Sequence, residues 1–202
     1  MRVCIAIALF LLASEAHAGP WLDASSGVQS LALRSLAAPL GGAGAEVVPT
    51  EVSGPVLGLG VGLSLGPISL GARGARTDFG DQSLRSLAIE VGVGLPLGPV
   101  RPSVFIGAGH SVFDPGAGQE SVDGLSLRTG GAVDIGLTRR FSLGLRGTVE
   151  VMALGRDGTP FGELLSADSV KTSADANERL LDADGASLGW AWGVSGVLGV
   201  RL

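Results

Sequence analysis

The residues in this chain with chemistry to offer are the ionisable side chains set inside runs of alternating apolar residues. Arg73, Glu90, Arg128, Asp134, Arg146 and Glu150 each sit in such a run. Neighbouring residues of a strand point to opposite faces, so these groups are expected on the face the aliphatic side chains leave free. Enclosed together, guanidinium and carboxylate groups neutralise one another, and a charge left there without a partner would cost far more. Hydrolytic chemistry would instead need a base beside a nucleophile. His110 is the single histidine after residue 18, and Ser111 follows it. Adjacent strand residues face apart, so the two do not form a base–nucleophile pair, and the chain is read as no enzyme, with no catalytic residue. A third group comprises Asp168, Asp175, Asn177, Glu178, Asp182, Asp184 and Gly185, and Asp182-Ala183-Asp184-Gly185 matches a fragment of a calcium loop. The distal glutamate of that pattern is missing. The expectation is a solvated acidic loop with no metal or cofactor site, and weak divalent-cation binding is the alternative.

The elements that must position these groups read as strands. In Leu57-Gly58-Leu59-Gly60-Val61-Gly62-Leu63-Ser64-Leu65 every odd residue is aliphatic and every even one is Gly or Ser. That strict period of two marks a strand with one apolar face. The uncharged run 52–72 is long enough for a membrane-spanning helix, and Gly58 and Gly62 fit a helix-pairing spacing, but the period contradicts a helix. The alternation returns over 87–97, 125–137, 141–151 and 190–202. Strands are placed at 27–37, 53–65, 68–77, 84–97, 100–113, 124–137, 141–154 and 188–202, an even number of strands as single-chain bacterial barrels require.

The connections test this reading, because a hairpin fixes which parity faces outward on the next strand. Gly66-Pro67 and Gly98-Pro99 fit two-residue turns, with glycine at the positive-φ first position and proline at the second. Each such turn switches outward parity from odd to even, and Ile68 and Leu70 follow one while Val104 and Ile106 follow the other. The three-residue turn Thr138-Arg139-Arg140 keeps odd residues outward, consistent with Leu137 and Phe141. The other connections, near 38–52, 78–83, 114–123 and 155–187, are longer and collect Glu46, Glu51, Asp78, Asp81, Asp114, Glu120 and Asp123. With odd positions outward, Glu90, Arg128, Asp134, Arg146, Glu150 and Arg201 are all assigned inward, as is Arg73 on the even-out third strand. Counting back from the three-residue turn sets Arg128 opposite Glu150 and Asp134 one diagonal step from Arg146. Gly60 opposite Arg73 and Gly107 opposite Glu90 leave room for those side chains. An eight-stranded barrel is just wide enough inside for side chains to fill it. The expectation is an ion-paired plug rather than an open pore, with a gated solute path as the alternative.

Composition agrees. A mean hydropathy of +0.44 with 34 glycines, one lysine and no tyrosine does not suit a domain whose whole surface meets water. Residues 1–18 read as an export signal, with Arg2, an apolar run from Val3 to Ala13, and Ala16-His17-Ala18 as the cleavage pattern. Cys4 leaves with that segment, so neither disulfide nor lipid anchor is expected. The remaining chain keeps a net charge of −5, which leaves no footprint for nucleic acid.

On these features residues 19–202 resemble the small eight-stranded outer-membrane barrels, the class of the OmpA transmembrane domain and OmpW. The closing strand from Trp190 to Leu202 keeps the alternation but ends in Leu, where members of the class usually carry an aromatic residue. The fold class is all-β: an eight-stranded antiparallel up-and-down transmembrane β-barrel at 19–202, preceded by a signal peptide at 1–18. The resemblance implies an integral protein of the cell outer membrane, non-enzymatic and monomeric, with a structural or envelope-maintenance role. Short turns would lie on the periplasmic side and acidic loops outside. Its partners would be outer-membrane lipid, lipopolysaccharide and the barrel-insertion machinery. The alternatives are a narrow channel for small or hydrophobic solutes and a soluble exported lipocalin-like barrel.

Overall fold

A computed structural model describes residues 19–33, 51–116, 121–155 and 187–202. The export signal at 1–18 and the acidic cluster at 168–185 lie outside the described residues. Eight strands form one closed antiparallel barrel in sequence order. They are β1 (Gly19–Leu33), β2 (Glu51–Leu65), β3 (Ile68–Asp78), β4 (Ser83–Gly94), β5 (Val100–Asp114), β6 (Val122–Gly136), β7 (Phe141–Gly155) and β8 (Ser187–Arg201). Each pairs with the next, and β8 closes on β1 from Trp21↔Arg201 to Leu33↔Gly189. Closure removes both sheet edges, so backbone N–H and C=O groups are satisfied within the sheet on all sides.

Glycine makes the tight turns possible. Gly66 and Gly98 take φ of 65° and 66°, a conformation costly for any residue with a Cβ. They close Leu65↔Ile68 and Leu97↔Val100, and the outward parity switches across both. At the third turn the Thr138 hydroxyl accepts from the backbone N–H groups of Arg140 (3.2 Å) and Phe141 (3.0 Å), and the parity is kept.

The start of β1, the end of β4 and the facing of β8 differ from the sequence reading. β1 starts at Gly19 rather than at residue 27, because pairing with both β2 and β8 extends it to Gly19↔Ser64 and Trp21↔Arg201. Its outward residues there, Pro20, Leu22, Ala24 and Ser26, include one large aliphatic, so the alternation is faint. β4 ends at Gly94 rather than at residue 97, since Pro96 and Pro102 have no N–H to give the ladder, and Leu97↔Val100 survives as an isolated bridge. On β8 it is the even residues Trp190, Trp192, Val194 and Leu198 that face out, so Arg201 lies inside by the parity opposite to the one assigned.

The interior is layered along the barrel axis. At the long-loop end Leu31, Leu84, Phe113, Val122, Met152 and Leu154 form a buried apolar plug. The charged residues fill the middle, and a cavity opens at the short-turn end. The plug was readable by parity, because these apolar residues all sit at inward positions near one end of their strands.

The turn geometry sets an expectation for stability. Gly66→Ala or Gly98→Ala should each lower it by about 1–2 kcal/mol through the positive φ. Gly74→Ala, whose new Cβ would meet nothing closer than 3.8 Å, should stay near the wild type in urea unfolding.

Candidate functional site: the charged lumen

Inward parity brings Arg73, Glu90, Arg128, Arg146 and Glu150 into the lumen, each at most 9% exposed. Glu90 on β4 is their hub. It accepts from Arg146 Nη2 at 2.5 Å, from Arg73 Nε at 3.4 Å and from Arg128 Nη1 at 3.5 Å. Arg128 also donates through Nη2 to Glu150 at 2.8 Å and to the Ser86 hydroxyl at 2.6 Å. Glu150 takes a further hydrogen bond from the Ser111 hydroxyl at 2.9 Å. Above this layer Thr77 donates to Gln29, both buried.

The third carboxylate of the network is Asp23 on β1. Its two oxygens receive Arg73 Nη1 at 2.6 Å and Nη2 at 2.5 Å, a bidentate pair of the strong kind. Three guanidiniums, Arg73, Arg128 and Arg146, therefore meet three carboxylates, Asp23, Glu90 and Glu150, and the connected network is neutral. Sequence reasoning missed Asp23 because it started β1 after it. The signal was available: Asp23 lies two residues from Trp21 and Ser25 on a parity that excludes Leu22 and Ala24.

Space comes from the glycines across the sheet. A Cβ at Gly60 would lie 2.7 Å from Arg73 Nη2, and one at Gly107 would lie 2.9 Å from Glu90 Cγ. The sequence also missed Phe105, whose ring lies 3.7 Å from Arg146 Cζ in a cation–π contact that partly offsets the unpartnered Arg146 Nε.

The six residues singled out from the sequence do not all join. Arg128 and Glu150 are cross-strand partners and bonded. The register does set Asp134 opposite Gly144, one diagonal step from Arg146 opposite Ala132. Arg146 nevertheless turns across the lumen to Glu90, and Asp134 makes no ion pair with a described residue. Cross-lumen contacts of this kind depend on barrel width and side-chain reach, which a pairwise register does not contain.

No protein-family model and no curated protein matches the chain. Among solved structures it is similar to Neisserial surface protein A, with a TM-score of 0.61 at 12% identity over 92% of this chain and 99% of that one. The outer-membrane protein OprG from Pseudomonas aeruginosa aligns over 93% of this chain and 98% of its own, with a TM-score of 0.45 at 10% identity. At such identity the first likeness is one of fold, the closed eight-stranded barrel.

The other candidates fall apart on the two faces of the wall. Ser111 is fully buried inside, while His110 faces outward and meets Asp123 at 2.7 Å. A base and a nucleophile separated by the sheet cannot exchange a proton.

The network predicts strong coupling. Arg128→Met strands Glu150 among buried neighbours and should cost about 3–5 kcal/mol, whereas Arg128→Met with Glu150→Leu should recover most of that loss. Equal losses in the single and double variants, measured by urea unfolding, would count against an ion pair whose partners need each other.

Proposed function

We propose that the chain is an integral outer-membrane barrel, exported through cleavage after Ala18, with a non-enzymatic structural or envelope-maintenance role. The observation that carries this is the outer wall. Leu57, Leu59, Val61, Leu63 and Leu65 are 53–65% exposed, and matching aliphatic rows continue on β3 through β8. Soluble proteins rarely expose contiguous apolar area beyond a few hundred Å². Hydrocarbon is the solvent that suits such a girdle. The side chains that would need water, by contrast, are enclosed and paired, the reverse of what a soluble lipocalin-like barrel with an apolar interior requires.

Two layers argue against an open channel. The apolar plug closes the loop end, and the Glu90-centred network fills the cross-section beneath it. In this reading the protein acts by occupying the membrane. It presents acidic loops to the outside, contacts outer-membrane lipid and lipopolysaccharide through its wall, enters by way of the barrel-insertion machinery, and works as a monomer.

Isolated outer membranes should contain the protein in a form that migrates differently on a gel before and after boiling. Recovery in the aqueous phase without detergent would overturn the reading. Leu127→Arg, at mid-height on the outer wall, should destabilise the bilayer-inserted barrel by about 2–4 kcal/mol in urea titrations from vesicles. A neutral effect would place that wall in water.

A further inference from the structure

The short-turn end of the barrel carries a charge imbalance that the ion-paired network does not use. Its cavity has a volume of about 120 Å³ and opens into a mouth of about 810 Å³. Arg101 and Arg201 line both, and Arg139 and Arg140 stand at the rim. Among the described residues, Asp134 is the single acidic side chain lining the mouth. None of these five makes an ion pair with a described residue. The four arginines thus stand around one acidic side chain and the terminal carboxylate of Leu202 at a mouth open to water, an excess of positive charge.

Arg101 is set against the wall, and the backbone at Arg201 is tied to the turn. Arg101 lies against Gly94, where a Cβ would come within 2.6 Å of its Nε, and its one hydrogen bond is a long one of 3.3 Å to the Gly66 carbonyl. The N–H of Arg201 donates to the Arg140 carbonyl at 2.8 Å, which ties the end of β8 to the turn that carries Arg139 and Arg140. Deeper in the cavity, the Trp21 indole N–H and Arg146 Nε are buried donors without a partner. Donors in excess, arriving from β1, β5, β7, β8 and a turn, are complementary to an acceptor with several oxygens pointing in different directions. A carboxylate satisfies one guanidinium fork, whereas a tetrahedral oxyanion can engage several.

We propose that this mouth is a binding site for a phosphate-type oxyanion, held by Arg101 and Arg201 with Arg139 and Arg140 at its entrance. The anion can be free phosphate or the headgroup of an anionic phospholipid at that rim.

Inorganic phosphate titrated calorimetrically into the full folded protein in uncharged detergent should bind saturably, and more weakly as salt rises. Arg101→Gln with Arg201→Gln should weaken binding roughly tenfold or more, the loss of charge-assisted hydrogen bonds. Arg139→Gln with Arg140→Gln, on an exposed turn where folding is not at stake, should weaken it less. Arg76→Gln at the opposite rim should leave it unchanged. A second arm, native mass spectrometry of protein released from mixed phosphatidylglycerol and phosphatidylcholine bilayers, separates the sources. Phosphatidylglycerol retention lost in the Arg139/Arg140 variant identifies the headgroup, and phosphate binding without such retention identifies the free anion. Absence of both, or an equal loss in the Arg76 variant, overturns the proposal. The phosphate arm does not depend on membrane residence, so its failure is distinct from a failure of the outer-membrane reading.

Discussion

The pairing of β1 with β8 is the constraint on which the other features rest. An eight-stranded sheet left open there would expose two rows of unpaired backbone groups, and only its closure gives the wall an inside and an outside. The same seam decides the electrostatics. Because β8 needs partners as far as Arg201, β1 must begin at Gly19, and this brings Asp23 into the lumen beside Arg73. With β1 starting at residue 27, three buried guanidiniums would share Glu90 and Glu150 alone, and an uncompensated buried charge is costly. Closure and neutrality are therefore one requirement met by one stretch of chain.

Much of this was legible because a barrel strand writes its two faces into alternate residues. From β2 to β7 the aliphatic rows are strong, the glycine-proline turns transmit parity from one strand to the next, and counting back from Thr138-Arg139-Arg140 sets Arg128 opposite Glu150. The exceptions have physical reasons. On β1 the outward positions 20–26 hold Pro20, Leu22, Ala24 and Ser26, too weak a row to announce a strand. At the end of β4 two prolines remove ladder donors that hydrophobicity does not register. Arg146 reaches Glu90 and Phe105 rather than its diagonal neighbour Asp134, and that choice is made across the lumen, where sequence spacing carries no information.

The hub also explains why the middle of the barrel is a solid. Glu90 receives three arginines that enter from β3, β6 and β7, so one carboxylate braces opposite walls. Swinging any one arginine away leaves Glu90 with fewer donors, and Arg146, bonded to Glu90 alone among the described residues, would also lose its acceptor. The glycines opposite Arg73 and Glu90 belong to the same design, since a Cβ at either site would meet the network. Small residues on the inner wall and long charged ones facing them fill the same cross-section by complement.

The two ends of the lumen then differ in kind. At the loop end apolar side chains complete the packing and ask nothing of a ligand. At the turn end the wall carries the same inward parity, but the residues there are arginines, and the carboxylates that would balance them are already committed deeper in the barrel. Arg73 holds both oxygens of Asp23, Glu90 is shared threefold and Glu150 is bonded to Arg128 and Ser111. The neutrality of the middle layer is what leaves the mouth positive. A barrel with the same wall but a second acidic side chain beside Arg101 and Arg201 would be closed at both ends electrostatically, and nothing in the strand pattern forbids one. The unbalanced arginines are thus a property of these particular residues rather than of the fold.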